Sequence, residues 1–208
     1  MSDGWIDDQL VARGIRDRRV LDAMRRVPRH LFVDQQTLSF AYADRALPIG
    51  DGQTISQPYM VAMMTEALKL QGHERVLDVG TGSGYQAAIL AELASEVISI
   101  ERRAELADRA RQRLASLDYR NVRIVVGDGS VGFAESAPYG GILVAAAAPR
   151  VPASLKHQLA DDGRLVIPVG QPEHQRLTIV TRDGDNFVES VQGDCVFVLL
   201  RGTEGWPE

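Results

Sequence analysis

The chain has 208 residues, 45% of them hydrophobic and 25% charged, which suits one well-packed domain of ordinary globular composition. A formal net charge of −5 with interspersed signs leaves no broad basic excess, so a nucleic-acid backbone is not an expected partner. The single cysteine, Cys195, excludes an internal disulfide and opens an apolar run, which predicts an inert buried thiol in a reducing compartment.

In chain order, residues 1–10 are acidic and polar and lack the layout of a signal peptide. The longest uninterrupted apolar stretch, 142–148, is too short to cross a bilayer, so a cytoplasmic protein without membrane contact is expected. Up to about residue 70 the pattern is helical and loop-rich. Val20, Leu21, Met24 and Val27 recur at helical spacing and Pro28 closes that segment. A turn-rich stretch over 47–58 precedes a helix predicted over 59–70, with Ser56 and Pro58 as capping residues.

From residue 75 short apolar runs alternate with amphipathic segments. Strands are predicted over 75–79, 96–100, 122–126, 141–146 and 164–168, and helices over 85–94, 104–117 and 153–159. This alternation specifies a mostly parallel, doubly wound α/β sheet. Runs over 176–182 and 187–200, joined by Asp183-Gly184-Asp185-Asn186, predict an antiparallel C-terminal hairpin. One domain over 1–208 is expected, with 1–70 a helical substrate-side portion and 71–208 the α/β core.

The chemistry centres on Val76-Leu77-Asp78-Val79-Gly80-Thr81-Gly82-Ser83-Gly84, an apolar strand with an acid near its end running into a glycine turn that opens a helix. Glycines let the backbone turn sharply and approach a ligand, and open α/β sheets bind ligands at the carboxyl ends of their strands. A dinucleotide fingerprint wants its third glycine where Tyr85 stands, which disfavours a nicotinamide oxidoreductase. The acid followed by G-x-G-x-G instead resembles the Rossmann-like class I methyltransferases, whose ligand, S-adenosyl-L-methionine, carries an ammonium and a sulfonium. Asp78, Gly80, Thr81, Gly82, Ser83 and Gly84 are therefore candidate cofactor contacts. Glu101, ending the second strand, suits vicinal ribose hydroxyls, and Gly127-Asp128-Gly129, ending the third, suits an adenine amino group.

Outside the glycine turn, the chain carries Arg29-His30-Leu31-Phe32-Val33, Ala41-Tyr42 and Leu47-Pro48-Ile49-Gly50, then Gly52-Gln53-Thr54-Ile55-Ser56-Gln57-Pro58. It also carries Ala137-Pro138-Tyr139, Ala146-Ala147-Ala148-Pro149, Gly163-Arg164-Leu165 and Ile167-Pro168-Val169-Gly170. With these strings it resembles the protein-L-isoaspartate (D-aspartate) O-methyltransferase family over almost its whole length. The resemblance implies methyl transfer from S-adenosyl-L-methionine to the carboxylate of L-isoaspartyl residues in damaged proteins, with D-aspartyl acceptors left open. It places Ser56 at the acceptor, flanked by Gln53, Thr54 and Ile55, with Ala147 and Ala148 as backbone contacts for an extended peptide.

The chain departs from the family pattern at Asp51, Gly140, Leu143, Ala145 and Leu199. Asp51 is expected to add negative charge near an anionic substrate. An acceptor carboxylate is already ionised at neutral pH, so alignment and exclusion of water, not a general base, are the expected means of catalysis. His73, His157 and His174 lack metal-ligand spacing and are expected at the surface, with no metal. Arg102, Arg103, Arg109, Arg111 and Arg113 are expected on a solvated helix face. A monomer is the default. An RNA or small-metabolite methyltransferase and a non-catalytic cofactor-binding module are the alternative readings.

Overall fold

The computed structural model describes residues 4–207. The chain opens with α1 (Gly4–Ile6), a π-turn over Asp7–Val11 and α2 (Arg18–Arg26). Asp17 caps α2 by accepting from the Arg19 amide at 2.9 Å, and Val20, Leu21, Ala23 and Met24 form its buried stripe. Two 3-10 turns, Arg29–Phe32 and Gln35–Phe40, follow.

The stretch expected only to turn contains an antiparallel hairpin, β1 (Leu47–Gly50) and β2 (Gln53–Ile55), reversing through Asp51 and Gly52, both with positive φ. Leu47, Ile49 and Ile55 bury their side chains while Pro48, Gly50 and Thr54 face outward, the alternation of a half-buried ribbon. Helix α3 (Pro58–Leu68) has Gln57 at its N-cap position and Pro58 at the first helical position. Ser56 lies one residue before the N-cap and does not cap the helix, a correction to the sequence expectation.

Seven strands build the main sheet. They are β3 (Arg75–Val79), β4 (Glu96–Glu101), β5 (Val122–Val126), β6 (Tyr139–Val144), β7 (Leu159–Gln171), β8 (His174–Asp183) and β9 (Asn186–Cys195). Their order is β5-β4-β3-β6-β7-β8-β9; the first five are parallel and β8 and β9 add antiparallel to β7. The order reverses at β3, so the switch point lies at its carboxyl end, where open α/β sheets receive ligands.

Helices α4 (Tyr85–Ala91) and α5 (Ala104–Ser116) follow β3 and β4, and the short α6 (Ala153–His157) precedes β7. The two faces of the sheet are covered unequally. Val76, Val97, Leu143 and Val166 pack on one side with apolar residues of α2 to α5 and with Ile6, Leu10 and Phe32 of the first segment. Leu77, Val79, Ile98, Ile142, Val144 and Leu165 pack on the other side with Leu155 of α6 and Leu200. One apolar cluster thus runs from residue 6 into the sheet.

The strand predicted to reach residue 200 ends at Cys195. There the chain leaves the sheet because Gln175 captures Phe197, whose amide donates to Gln175 Oε1 at 2.6 Å. The return bond, from Gln175 Nε2 to the Phe197 carbonyl, is 3.0 Å. Cys195 is half-buried, not buried as expected, and burial followed by the charge of Asp194 pushes its thiol up to about 11. His73, His157 and His174 are exposed, as expected.

Candidate active site

The chain after β3 makes its turn by hanging on the neighbouring strand: the amides of Gly80 and Thr81 both donate to the Ile100 carbonyl, at 2.8 and 3.2 Å. Gly82 sits at φ +52°, and a Cβ there would lie 3.3 Å from Ile49 Cδ1 of the hairpin, so glycine answers both backbone and space. Gly84, in the left-handed region, caps α4.

Asp78 does not meet the expectation of a ligand-facing acid. It is fully buried and paired across the sheet with Ser99, whose hydroxyl donates to Asp78 Oδ2 at 2.7 Å. The Ser99 and Thr81 hydroxyls are 2.6 Å apart, so Asp78 braces the glycine turn from behind. Its Oδ1 has no hydrogen-bond partner among the described residues. Burial pushes the carboxyl up; the Ser99 bond opposes this and the negative charge of Glu101 adds to it, leaving a value of about 7.

One cleft opens over this turn. Gly80, Thr81, Gly82 and Ser83 line it together with Val79, Ile100 and Glu101. Gln53, Thr54, Ile55 and Ser56 come from the opposite side, and Phe197 to Arg201 form a third wall. Glu101 is 6% exposed; its Oε2 accepts from the Gly82 amide at 2.9 Å and its Oε1 from the Arg103 amide at 3.0 Å. Each oxygen keeps a further acceptor site, which fits it for a pair of hydroxyls. Gly129 closes the floor: a Cβ there would come within 2.5 Å of Val79 Cγ1, a contact no side chain tolerates.

Gly127 lies beneath the cleft wall, its amide donating to the Glu101 carbonyl at 3.1 Å. Asp128 holds protein, not open space. Its Oδ1 accepts from the Ser130 amide and hydroxyl at 2.9 and 2.7 Å, and its Oδ2 from the Thr203 amide at 2.7 Å. Burial pushes its carboxyl up, but the bonds from Thr203 and Ser130 outweigh that and hold it below the usual range.

Ala147 and Ala148 correct the expectation of free backbone contacts for a peptide. Both are fully buried. The Ala147 amide and carbonyl bond to Val198 and Leu200 at 2.7 and 2.8 Å, and those of Ala148 to Pro168 and Gly170, both at 3.0 Å. The surface they would have offered belongs instead to residues 197–201, of which the sequence pattern assigns 197–200 to a strand.

Ser56 is held through its backbone: its carbonyl accepts from Arg29 Nη2 at 2.8 Å, and its hydroxyl takes no part in capping α3. Asp51 does not confront the cleft as bare negative charge, because Arg109 Nη2 pairs with it at 3.0 Å. Of the arginines expected on a solvated face, Arg102, Arg103 and Arg109 are exposed, while Arg111 and Arg113 are half-buried. Arg102 and Arg103 line the cleft, and Arg113 Nη1 donates to the Ser83 carbonyl at 2.7 Å. Arg111 pairs with Asp108 and donates to the Ile124 carbonyl at 3.2 Å.

A parallel sheet with an antiparallel terminal pair, a glycine turn at its switch point and a buried carboxylate ending the next strand defines the class I methyltransferase fold. The model of the protein-L-isoaspartate(D-aspartate) O-methyltransferase family matches residues 5–205, and the chain belongs to that family. A protein-L-isoaspartate O-methyltransferase from Marinobacter nauticus is 57% identical over 96% of this chain and 92% of its own. One from Syntrophobacter fumaroxidans is 53% identical over 98% of this chain and 95% of its own. A solved Plasmodium falciparum structure carrying the same family name, in complex with S-adenosyl-L-homocysteine, superposes with a TM-score of 0.83. It is 26% identical, and the match covers 96% of this chain and 97% of that one.

Proposed function

We propose that this chain transfers the methyl group of S-adenosyl-L-methionine to the carboxylate of L-isoaspartyl residues in proteins, the first step of their repair. One observation carries this reading beyond family membership: Gln53, Thr54, Ile55 and Ser56 line the same cleft as the glycine turn and Glu101. An acceptor group held by the first set therefore meets a nucleoside cofactor held by the second.

The residues fit that cofactor. The glycines leave room for a ligand against the backbone, Glu101 offers two acceptor sites for ribose hydroxyls, and Val61, Met64 and Ile100 supply apolar wall. When bound, the cofactor supplies an electrophilic methyl on a positively charged sulfur. An ionised carboxylate oxygen held by this chain would take up that methyl without any proton transfer, so no general base is needed. The chain's own contribution is alignment and dryness. Ser56 orients one carboxylate oxygen through its hydroxyl, Thr54 and Gln53 flank it, and the 197–201 wall keeps water out. Asp78 braces the turn and takes no part in proton transfer. Asp128, through its bond from the Thr203 amide, ties down the chain just beyond the third wall.

The test is methylation by the purified protein with labelled S-adenosylmethionine, an isoaspartyl peptide and its aspartyl counterpart. Strong preference for the isoaspartyl form is expected; equal labelling of both, or labelling of neither, overturns the reading.

A further inference from the structure

Arg29 is among the largest fully buried side chains of the molecule, yet it does not line the cleft. Its Nε donates to the Ala41 carbonyl at 2.7 Å and its Nη2 to the Ser56 carbonyl at 2.8 Å. Nη1 has no hydrogen-bond partner among the described residues, and the guanidinium carbon lies 4.9 Å from the centre of the Tyr85 ring. The acceptors of this buried cation are backbone carbonyls, and burial lowers its pKa, opposed chiefly by Tyr85.

A guanidinium is a costly way to fill a core, because well-packed apolar side chains of similar volume commonly serve stability as well or better. What an apolar side chain cannot supply is two directed N–H bonds at a fixed angle. Here the fork joins three points that matter to the site. Ala41 ends the second 3-10 turn; Ser56 carries the acceptor-side hydroxyl; Tyr85 begins α4 directly after the glycine turn and itself lines the cleft. Ser56 sits between β2 and α3 without a capping bond, and the Arg29 bond to its carbonyl ties its peptide down.

We propose that Arg29 is a positioning residue for methyl transfer, holding the Ser56 peptide against the Tyr85 end of α4 and so setting the Ser56 hydroxyl relative to the cofactor side of the cleft. This rests on Ser56 meeting the acceptor carboxylate, as proposed above. Arg29 touches neither reacting atom; it acts through Ser56.

The test compares the parent with Arg29→Lys and Arg29→Ala for kcat on an isoaspartyl peptide, S-adenosylhomocysteine affinity by calorimetry, and hydrogen exchange over residues 53–57. For Arg29→Lys, kcat falls by about 30-fold or more while product affinity stays within about 3-fold, because alignment and not the cofactor cradle is lost. Exchange rises over 53–57 and not in α4. Millimolar guanidinium, but not equimolar potassium chloride, restores about 5-fold or more of the kcat lost in Arg29→Ala by refilling the site. A purely structural role lowers product affinity and kcat together and gives no guanidinium rescue. A kcat for Arg29→Lys within about 3-fold of the parent, or unchanged exchange over 53–57, overturns the proposal. If Arg29→Ala does not fold, the lysine variant decides alone. A parent enzyme without isoaspartyl turnover sinks the functional reading before any variant is made, and the exchange data then still report whether Arg29 orders residues 53–57.

Discussion

Ser56 and Glu101 stand on different walls of one cleft and are asked for different things, which makes their variants separable. Ser56→Ala removes a hydroxyl that holds nothing in the protein's own framework, so turnover on an isoaspartyl peptide should fall by about 10²-fold while S-adenosylhomocysteine affinity by calorimetry stays unchanged. Full activity would remove Ser56 from the mechanism. Glu101→Gln should do the reverse. The amide retains one oxygen but sets an NH2 against either the Gly82 or the Arg103 amide, and cofactor binding should weaken by roughly 1.5–3 kcal/mol. An unchanged calorimetric affinity would refute the ribose assignment. At this scale the sequence is informative where a single strand end decides the matter: the glycine turn and Glu101 need only their own strands and the rule that ligands sit at carboxyl ends. It is silent where the partner is remote. That Asp78 turns inward depends on Ser99, on the next strand; that Asp128 is engaged depends on Thr203, far along the chain; and that Ala147 and Ala148 have no free backbone groups depends on Val198, Leu200, Pro168 and Gly170.

Among the elements, the hairpin β1–β2 is the one that periodicity could not reveal. Its strands have four and three residues, too few for a period of two to declare itself, and its Pro48, Gly50 and Gly52 have the composition of a turn. By contrast β3 and β5 run over the predicted residues: β3 is a buried apolar run in the middle of the sheet, and β5, at its edge, is a β-branched run around Arg123. The hairpin matters because it lays Ile49 on Gly82 and leads directly into Ser56. Leu47, Ile49 and Ile55 hold it by packing and Asp51 by an ion pair, and physical chemistry ranks packing against charge. The Asp51–Arg109 pair is exposed, with side-chain accessibilities of 36% and 51%, so Asp51→Asn should cost below about 1 kcal/mol in denaturant unfolding and less at high salt. Ile49 is 5% exposed, and Ile49→Ala should cost about 2–4 kcal/mol and also weaken cofactor binding by unseating the glycine turn. The reverse ranking would mean that charge and not packing fastens the hairpin.

For the molecule as a whole, the buried Asp78 and the half-buried Asp128 and Glu204 set opposing limbs of the pH–stability curve. Asp128 and Glu204 are both pushed up by burial, but their hydrogen bonds more than offset it and hold both below the usual range. The stability they contribute is present above their unfolded pKa values and is lost as pH falls through the depressed folded values. Asp78 works in the other direction. Its folded value of about 7 lies above the ordinary aspartate value of 3.8, so between the two the folded state binds a proton that the unfolded state has released. Stability therefore falls as pH rises across that window, and the penalty is constant once both states are ionised. The full shift corresponds to an upper figure on the order of 4 kcal/mol. Asp78→Asn, which keeps an acceptor for Ser99 but cannot ionise, removes this limb. Denaturant unfolding of both proteins at intervals across the acid-to-neutral range should show the parent losing stability relative to Asp78→Asn as pH rises, with the two curves parallel above neutrality. Curves parallel throughout would mean that Asp78 is ionised in its buried position, held there by Ser99 and Thr81 against both desolvation and the charge of Glu101.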